Sequence, residues 1–135
     1  MLKKCFFLAL VSGLSAGVAS IVYASVYSSS MGVDFSKIVK PSGLVGASEF
    51  GTLLAAAGYF LGSKFLKANT DAVFNILFLL LTFASCVGPF ATNLPVTVSN
   101  PELFPGYVIP MHFFPFMLWV VMKPFFMKPD TASAD

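Results

Sequence analysis

The feature that most limits this chain is an apolar run from Cys5 to Tyr27 that no charged residue interrupts. A bilayer core about 30 Å thick takes roughly 20 apolar residues per crossing helix, and this run meets that requirement. Three further segments share its character. Residues 44–62 carry one charge, Glu49; residues 72–90 centre on NILFLLLTFASC; residues 107–126 are rich in aromatics and broken by Pro110, Pro115 and Pro124. Composition agrees: 57% of the residues are hydrophobic and 10% charged, against about 45–50% and about 25% in soluble domains. A water-soluble globule is excluded, and so is disorder, which needs low hydrophobicity and high net charge. The net charge of +2 comes from scattered lysines, and no basic patch marks a nucleic-acid surface. The fold class is therefore all-α. It is a polytopic membrane protein with one four-helix transmembrane domain over residues 1–128 and a short disordered tail, 129–135.

MLKK followed by an apolar stretch resembles the start of a secretory signal. Signal peptides, however, have apolar regions of about 7–15 residues closed by an A-x-A-like site. This run is longer and has no clear A-x-A, so the first helix is expected to be retained. Four crossings put Lys3, Lys4, Lys64, Lys67, Lys123 and Lys128 on one side of the membrane. Only Lys37 and Lys40 fall on the other. Excess lysine marks the cytoplasmic side, which predicts an inner-membrane protein with both termini in the cytoplasm. GVDFSKIVK alternates apolar and polar residues, as a segment lying along the interface would. TNLPVTVSNPELFPGY reads as an irregular cap dense in Pro and Asn. Cys5 and Cys86 fall at opposite ends of their helices, too far apart for the roughly 4.4–6.8 Å Cα separation of a disulfide.

Lipid tails are as apolar as leucine, so close backbone approach and polar contacts must hold the helices together. The first helix has a small-residue face that includes Gly13 and Gly17 in G-x-x-x-G spacing. That pattern suits a homodimer seam or, better in a bundle this small, internal packing. The second helix is small on two faces. One carries Ala47, Gly51, Ala55, Gly58 and Gly62, and the other Gly46, Glu49, Thr52 and Ala56. A central helix with two neighbours is the expectation. Asn75, Thr82, Ser85, Pro89 and Thr92 share a face of the third helix, and the prolines of the fourth free carbonyls that need donors from neighbours.

Counting residues from the membrane surface puts Glu49, His112, Ser85 and Cys86 in one layer, about 8 Å deep at 1.5 Å per residue. Ionisable residues at such depth are functional candidates by default. The expectation is an outward-facing polar pocket of Glu49, His112, Ser85, Cys86 and Thr52, in which Glu49 and His112 face each other. A purely structural Glu49–His112 pair that sets helix register fits the same residues. No four-ligand zinc set and no nucleotide-binding or nucleophile-elbow motif is present, so neither a metal nor a cofactor is implied. The aromatics from Phe113 to Phe126 suit lipid-facing bulk, or else the wall of a quinone-type pocket.

GVDF at residues 32–35, a Gly/Ala-rich second helix, Ser85 and Pro89 closing the third, and Met111–His112 opening the fourth follow one another along the chain. In that order the chain resembles a family of small four-helix membrane proteins of bacteria and archaea with no established activity. The third loop is longer than in that pattern. The resemblance implies architecture and no chemistry. The functional reading is a non-enzymatic binding, accessory or small transport component whose partners are the lipid bilayer and a homo-oligomer or larger membrane complex. The alternative is a membrane enzyme or redox accessory acting on a quinone or lipid. No internal repeat of the kind complete transporters use is present.

Overall fold

The structure is a computed structural model that describes residues 1–127; Lys128 and the tail 129–135 lie outside the described residues. Among the described residues there are helices and turns and no strand. The elements are α1 (Leu2–Met31), α2 (Pro41–Leu66), α3 (Thr70–Ser85), α4 (Gly88–Ala91) and α5 (Phe104–Phe126). Short 3-10 turns at Lys67–Asn69 and Pro101–Leu103 precede α3 and α5.

Three helical stretches are long and apolar enough to cross a membrane: Leu2–Met31, Pro41–Ala91 and Pro101–Phe126. Four separate spans were expected. The second and third fall within one stretch because a single 3-10 turn joins α2 to α3 with no extended residues between them. α3 alone has 16 residues, fewer than the roughly 20 a crossing takes. The stretch is nevertheless not straight. Lys67 adopts φ 48°, and the Tyr59 hydroxyl donates to Asp71 Oδ1 at 2.5 Å. Twelve residues of continuous helix would hold these groups about 18 Å apart, so the chain doubles back and α3 runs antiparallel to α2.

α1 is the axis of the structure. Its buried face is a column of small residues, among them Ala9, Ser12, Gly13, Ala16, Gly17 and Ser20, and α2 and α5 pack on it. A Cβ on Gly17 would stand 2.9 Å from the Cα of Val45. One on Gly13 would stand 2.9 Å from the Glu49 carboxyl and closer still to the Thr52 hydroxyl. Close approach lets the Thr52 hydroxyl donate to the Ala9 carbonyl at 3.0 Å, a hydrogen bond that has no competitor in lipid. The opposite face of α1, with Val11, Leu14, Val18, Val22 and Val26, is exposed and suited to acyl chains.

α5 keeps its helical course through Pro110, Pro115 and Pro124. Pro110 has no N–H to offer the Gly106 carbonyl, and the Tyr23 hydroxyl donates to that carbonyl at 2.8 Å instead. The Tyr27 hydroxyl donates to the Leu103 carbonyl at 3.0 Å. Two phenols of α1 therefore tie down the start of α5.

Gly32, at φ 67°, ends α1 in the left-handed conformation that glycine adopts at little cost. Within GVDFSKIVK the turn drives Phe35 completely out of solvent, against the rings of Phe104 at 5.4 Å and Tyr107 at 5.1 Å. Asp34 stays outside, where hydrogen bonds from the side chain and backbone of Ser36 hold its carboxyl below the usual carboxylate range. A second aromatic cluster closes the N-terminal end, built by Leu8, Tyr59 and Trp119 with Phe74 and Phe78.

The seam predicts a contrast between glycines. Gly17→Ala should cost about 1–3 kcal/mol, as overpacking against backbone does, because Val45 cannot move aside without parting the helices. Gly51→Ala, with nothing within 4 Å of the added carbon, should be neutral. Reversible unfolding in mixed micelles measures both; equal effects would contradict the assigned seam.

Candidate functional site

α3 buries only Thr70 and Thr82. Its bulky aromatics hold it against α2 and α5 at the N-terminal end, where Phe74 stacks edge-on to Tyr59 at 5.2 Å and Phe78 to Phe116 at 5.4 Å. Nearer the far end it touches α5 through Phe83 and Phe113 and through Ser85 and His112. Between these supports α3 stands off α2, and an open-sided cavity of about 710 Å³ remains, with Leu54, Leu77 and Leu81 exposed along it. That volume lies in the range of roughly 300–1,000 Å³ usual for small-molecule sites.

The α2 wall of this cavity is the stripe Gly43, Ala47, Gly51, Ala55 and Gly58. Gly51 was expected to pack against another helix. Neither it nor Gly43 has an atom within 4 Å of an added Cβ, and Gly58 meets only the edge of Phe74 at 3.7 Å. Gly62 meets only Leu66 of its own helix. The small residues of this face therefore leave space instead of admitting a neighbour, in contrast to Gly13 and Gly17.

The cavity is polar toward one end. Ser20 from α1, Ser48 from α2, Thr82 and Ser85 from α3 and His112 from α5 line its far half, while Leu54, Phe74, Leu77 and Phe78 line the half nearer the N-terminus. Ser20 is 1% exposed, and its hydroxyl has no partner among the described residues. Pro115, also on the wall, removes the N–H that would have bonded the Met111 carbonyl.

His112 and Ser85 are hydrogen bonded, with Oγ 2.9 Å from Nδ1. Ser85 Oγ also lies 2.6 Å from the Thr82 carbonyl. A serine hydroxyl has one hydrogen, and a carbonyl oxygen that close can only be accepting it. Nδ1 must then carry the proton and donate to Ser85, which leaves Nε2 of the neutral ring as an acceptor. Because the serine proton points away from the imidazole, the pair is not arranged as a nucleophile with its base.

The five residues expected in one polar pocket divide. Ser85 and His112 come together on the cavity wall. Cys86 follows Ser85 just past the end of α3, with Sγ 3.3 Å from the Thr82 carbonyl, but does not line the cavity. Glu49 and Thr52 face α1. The expected Glu49–His112 pair is not formed, for a geometric reason: at 100° per residue Glu49 lies about 200° around α2 from Gly51, on the side opposite the cavity. Both Glu49 carboxyl oxygens are buried beside Gly13 with no hydrogen-bond partner among the described residues. Asn75, which spacing puts on one face of α3 with Thr82 and Ser85, does not line the cavity, whose near end is walled by Phe74 and Phe78.

One cluster goes unread in the sequence. Lys123 is 8% exposed, lies 2.5 Å from Asp71 Oδ1 and sits 4.3 Å from the centre of the Tyr59 ring. With the Tyr59–Asp71 hydrogen bond, it fastens α2, α3 and α5 at the N-terminal end. The sequence signal is a lysine within the aromatic run, which as a topological charge says nothing of its partner. No three His, Cys, Asp or Glu side chains gather as a metal site among the described residues.

Comparison with family models, with curated proteins and with solved structures finds no match for this chain.

The hydrogen-bond order makes a spectroscopic prediction. The ¹⁵N shifts of His112 should report the Nδ1–H tautomer in nanodiscs, and Ser85→Ala should shift the population toward Nε2–H. A wild-type Nε2–H tautomer would contradict the assigned proton order.

Proposed function

We propose that this chain is a multi-pass membrane protein without enzymatic activity, which binds a lipophilic small molecule in the cavity between α2, α3 and α5. The observation that carries this reading is an amphipathic cavity of about 710 Å³ within segments apolar enough to lie in a bilayer. Its walls are mostly hydrocarbon with a few convergent polar groups, the usual composition of small-molecule sites. Binding is favoured over catalysis because the Ser85 proton is committed to the Thr82 carbonyl.

In this reading the α2–α3 hairpin crosses the membrane twice, so that the chain forms a four-helix bundle. The reversal at Lys67 and the Tyr59–Asp71 contact support it. Lys3, Lys4, Lys64 and Lys67 then share one side, which the excess of lysine makes cytoplasmic, in an inner membrane. The family resemblance carried by GVDF and Met111–His112 is consistent with this architecture.

Photolabelling of the protein in nanodiscs with a diazirine-bearing hydrophobic probe tests the reading. Labels should concentrate on residues 43–58 and 77–82, and Gly51→Leu, which fills open space, should abolish them. Labelling spread evenly over the lipid-facing side of α1 and unchanged by Gly51→Leu would refute it.

A further inference from the structure

We infer that the cavity selects a neutral amphiphile with a hydroxyl head, held head-first at His112 with its chain running toward Trp119. This rests on the binding role proposed above and specifies the class of ligand. Three observations fix the class. The first is shape. The α2 wall from Gly43 to Gly58 is about 22 Å long at 1.5 Å per residue. An extended hydrocarbon chain can lie along that length.

The second is charge. Among the described residues no Lys, Asp or Glu lines the cavity. An anionic head such as a phosphate or carboxylate would be buried without a counter-charge, which is strongly unfavourable. The head is therefore neutral.

The third is the pattern of free hydrogen-bonding groups. The His112 ring, with Nδ1 engaged by Ser85, offers Nε2 as an acceptor at the polar end of the cavity. An alcohol or phenol donates to it. A pure hydrocarbon offers no donor, and an ester or quinone carbonyl has none either. Long-chain alcohols, isoprenols and quinols share this chemistry.

The protein carries its own reporter of orientation. Trp119 is its only tryptophan, buried, and 5.7 Å and 6.2 Å ring to ring from Phe74 and Phe78, which wall the apolar end. Bromine quenches indole fluorescence at short range. The full chain in nanodiscs is titrated with a straight-chain alcohol brominated at its distal end, with the same chain brominated beside the hydroxyl, and with the matching carboxylic acid and alkane brominated distally. An isoprenol and a quinol, each brominated at the end of its chain, separate the possible sources. The distal bromo-alcohol should quench Trp119 more strongly than its head-brominated isomer. It should also bind at least about tenfold more tightly than the acid or alkane, as expected for lost hydrogen bonds at a buried site. His112→Ala should erase that preference while leaving distal quenching in place. Equal binding of alcohol, acid and alkane, all lost in Gly51→Leu, would overturn the head-group inference and leave the binding role standing. Stronger quenching by the head-brominated isomer would overturn the orientation. Quenching by no probe beyond that in Gly51→Leu would overturn both the inference and the binding role.

Discussion

At the α1–α2 seam, α1 itself contributes almost no side chain at two positions. Gly13 and Gly17 leave the backbone of α1 bare where Val45, Glu49 and Thr52 approach it, and the Thr52 hydroxyl reaches the Ala9 carbonyl across the gap. Helices in lipid gain little from burying leucine against leucine, so this kind of approach and these polar contacts supply the association energy. The other contacts follow from it. With α2 drawn close on one side and α5 tied by Tyr23 and Tyr27 on another, α1 has no small face left for α3. That helix reaches the rest through aromatics and the Asp71 contacts at one end and through Phe83–Phe113 and the Ser85–His112 bond toward the other.

The cavity is thus a consequence of unequal packing. Two clusters brace it. Phe35, Phe104 and Tyr107 close the far end of the assembly, and Tyr59, Phe74 and Trp119 close the N-terminal end, where Asp71 and Lys123 pin three helices together. A bulky residue at Gly51 or Ala47 would fill the space, and the same small residues that empty it also make its α2 wall smooth enough for a chain to lie along. Function, in the binding reading, sits where the structure declines to pack.

Membrane character was legible in the sequence because an uncharged run as long as Cys5–Tyr27 has few other solutions. The number of separate spans was not. A 3-10 turn over Lys67–Asn69 joins α2 and α3 without the glycine, proline or extended loop that marks a boundary. Small-residue periodicity identified the faces of α2 but not their partners. The stripe through Gly51 and the face through Glu49 look equally suited to packing, and only tertiary arrangement makes one a seam and the other a cavity wall. Counting depth placed Glu49 and His112 in one layer and was silent on rotation about the helix axis, which separates them. Ser20 is, by letter, one more small residue of α1. Lys123 shows only its sign in the sequence, since a lysine near a helix end serves topology and ion pairing with the same letter.

The cavity exists only if α2 and α3 stand apart in a bilayer, and oxidative cross-linking measures that separation. With Cys5 and Cys86 replaced by serine, cysteines are introduced at Gly51 and Leu81, which face the cavity from opposite walls. In nanodiscs an open cavity predicts that oxidation leaves these thiols free, because a disulfide needs Cα atoms within about 6.8 Å, and that a short bis-maleimide joins them. Rapid formation of a direct disulfide would show α3 collapsed onto α2 and would contradict the cavity.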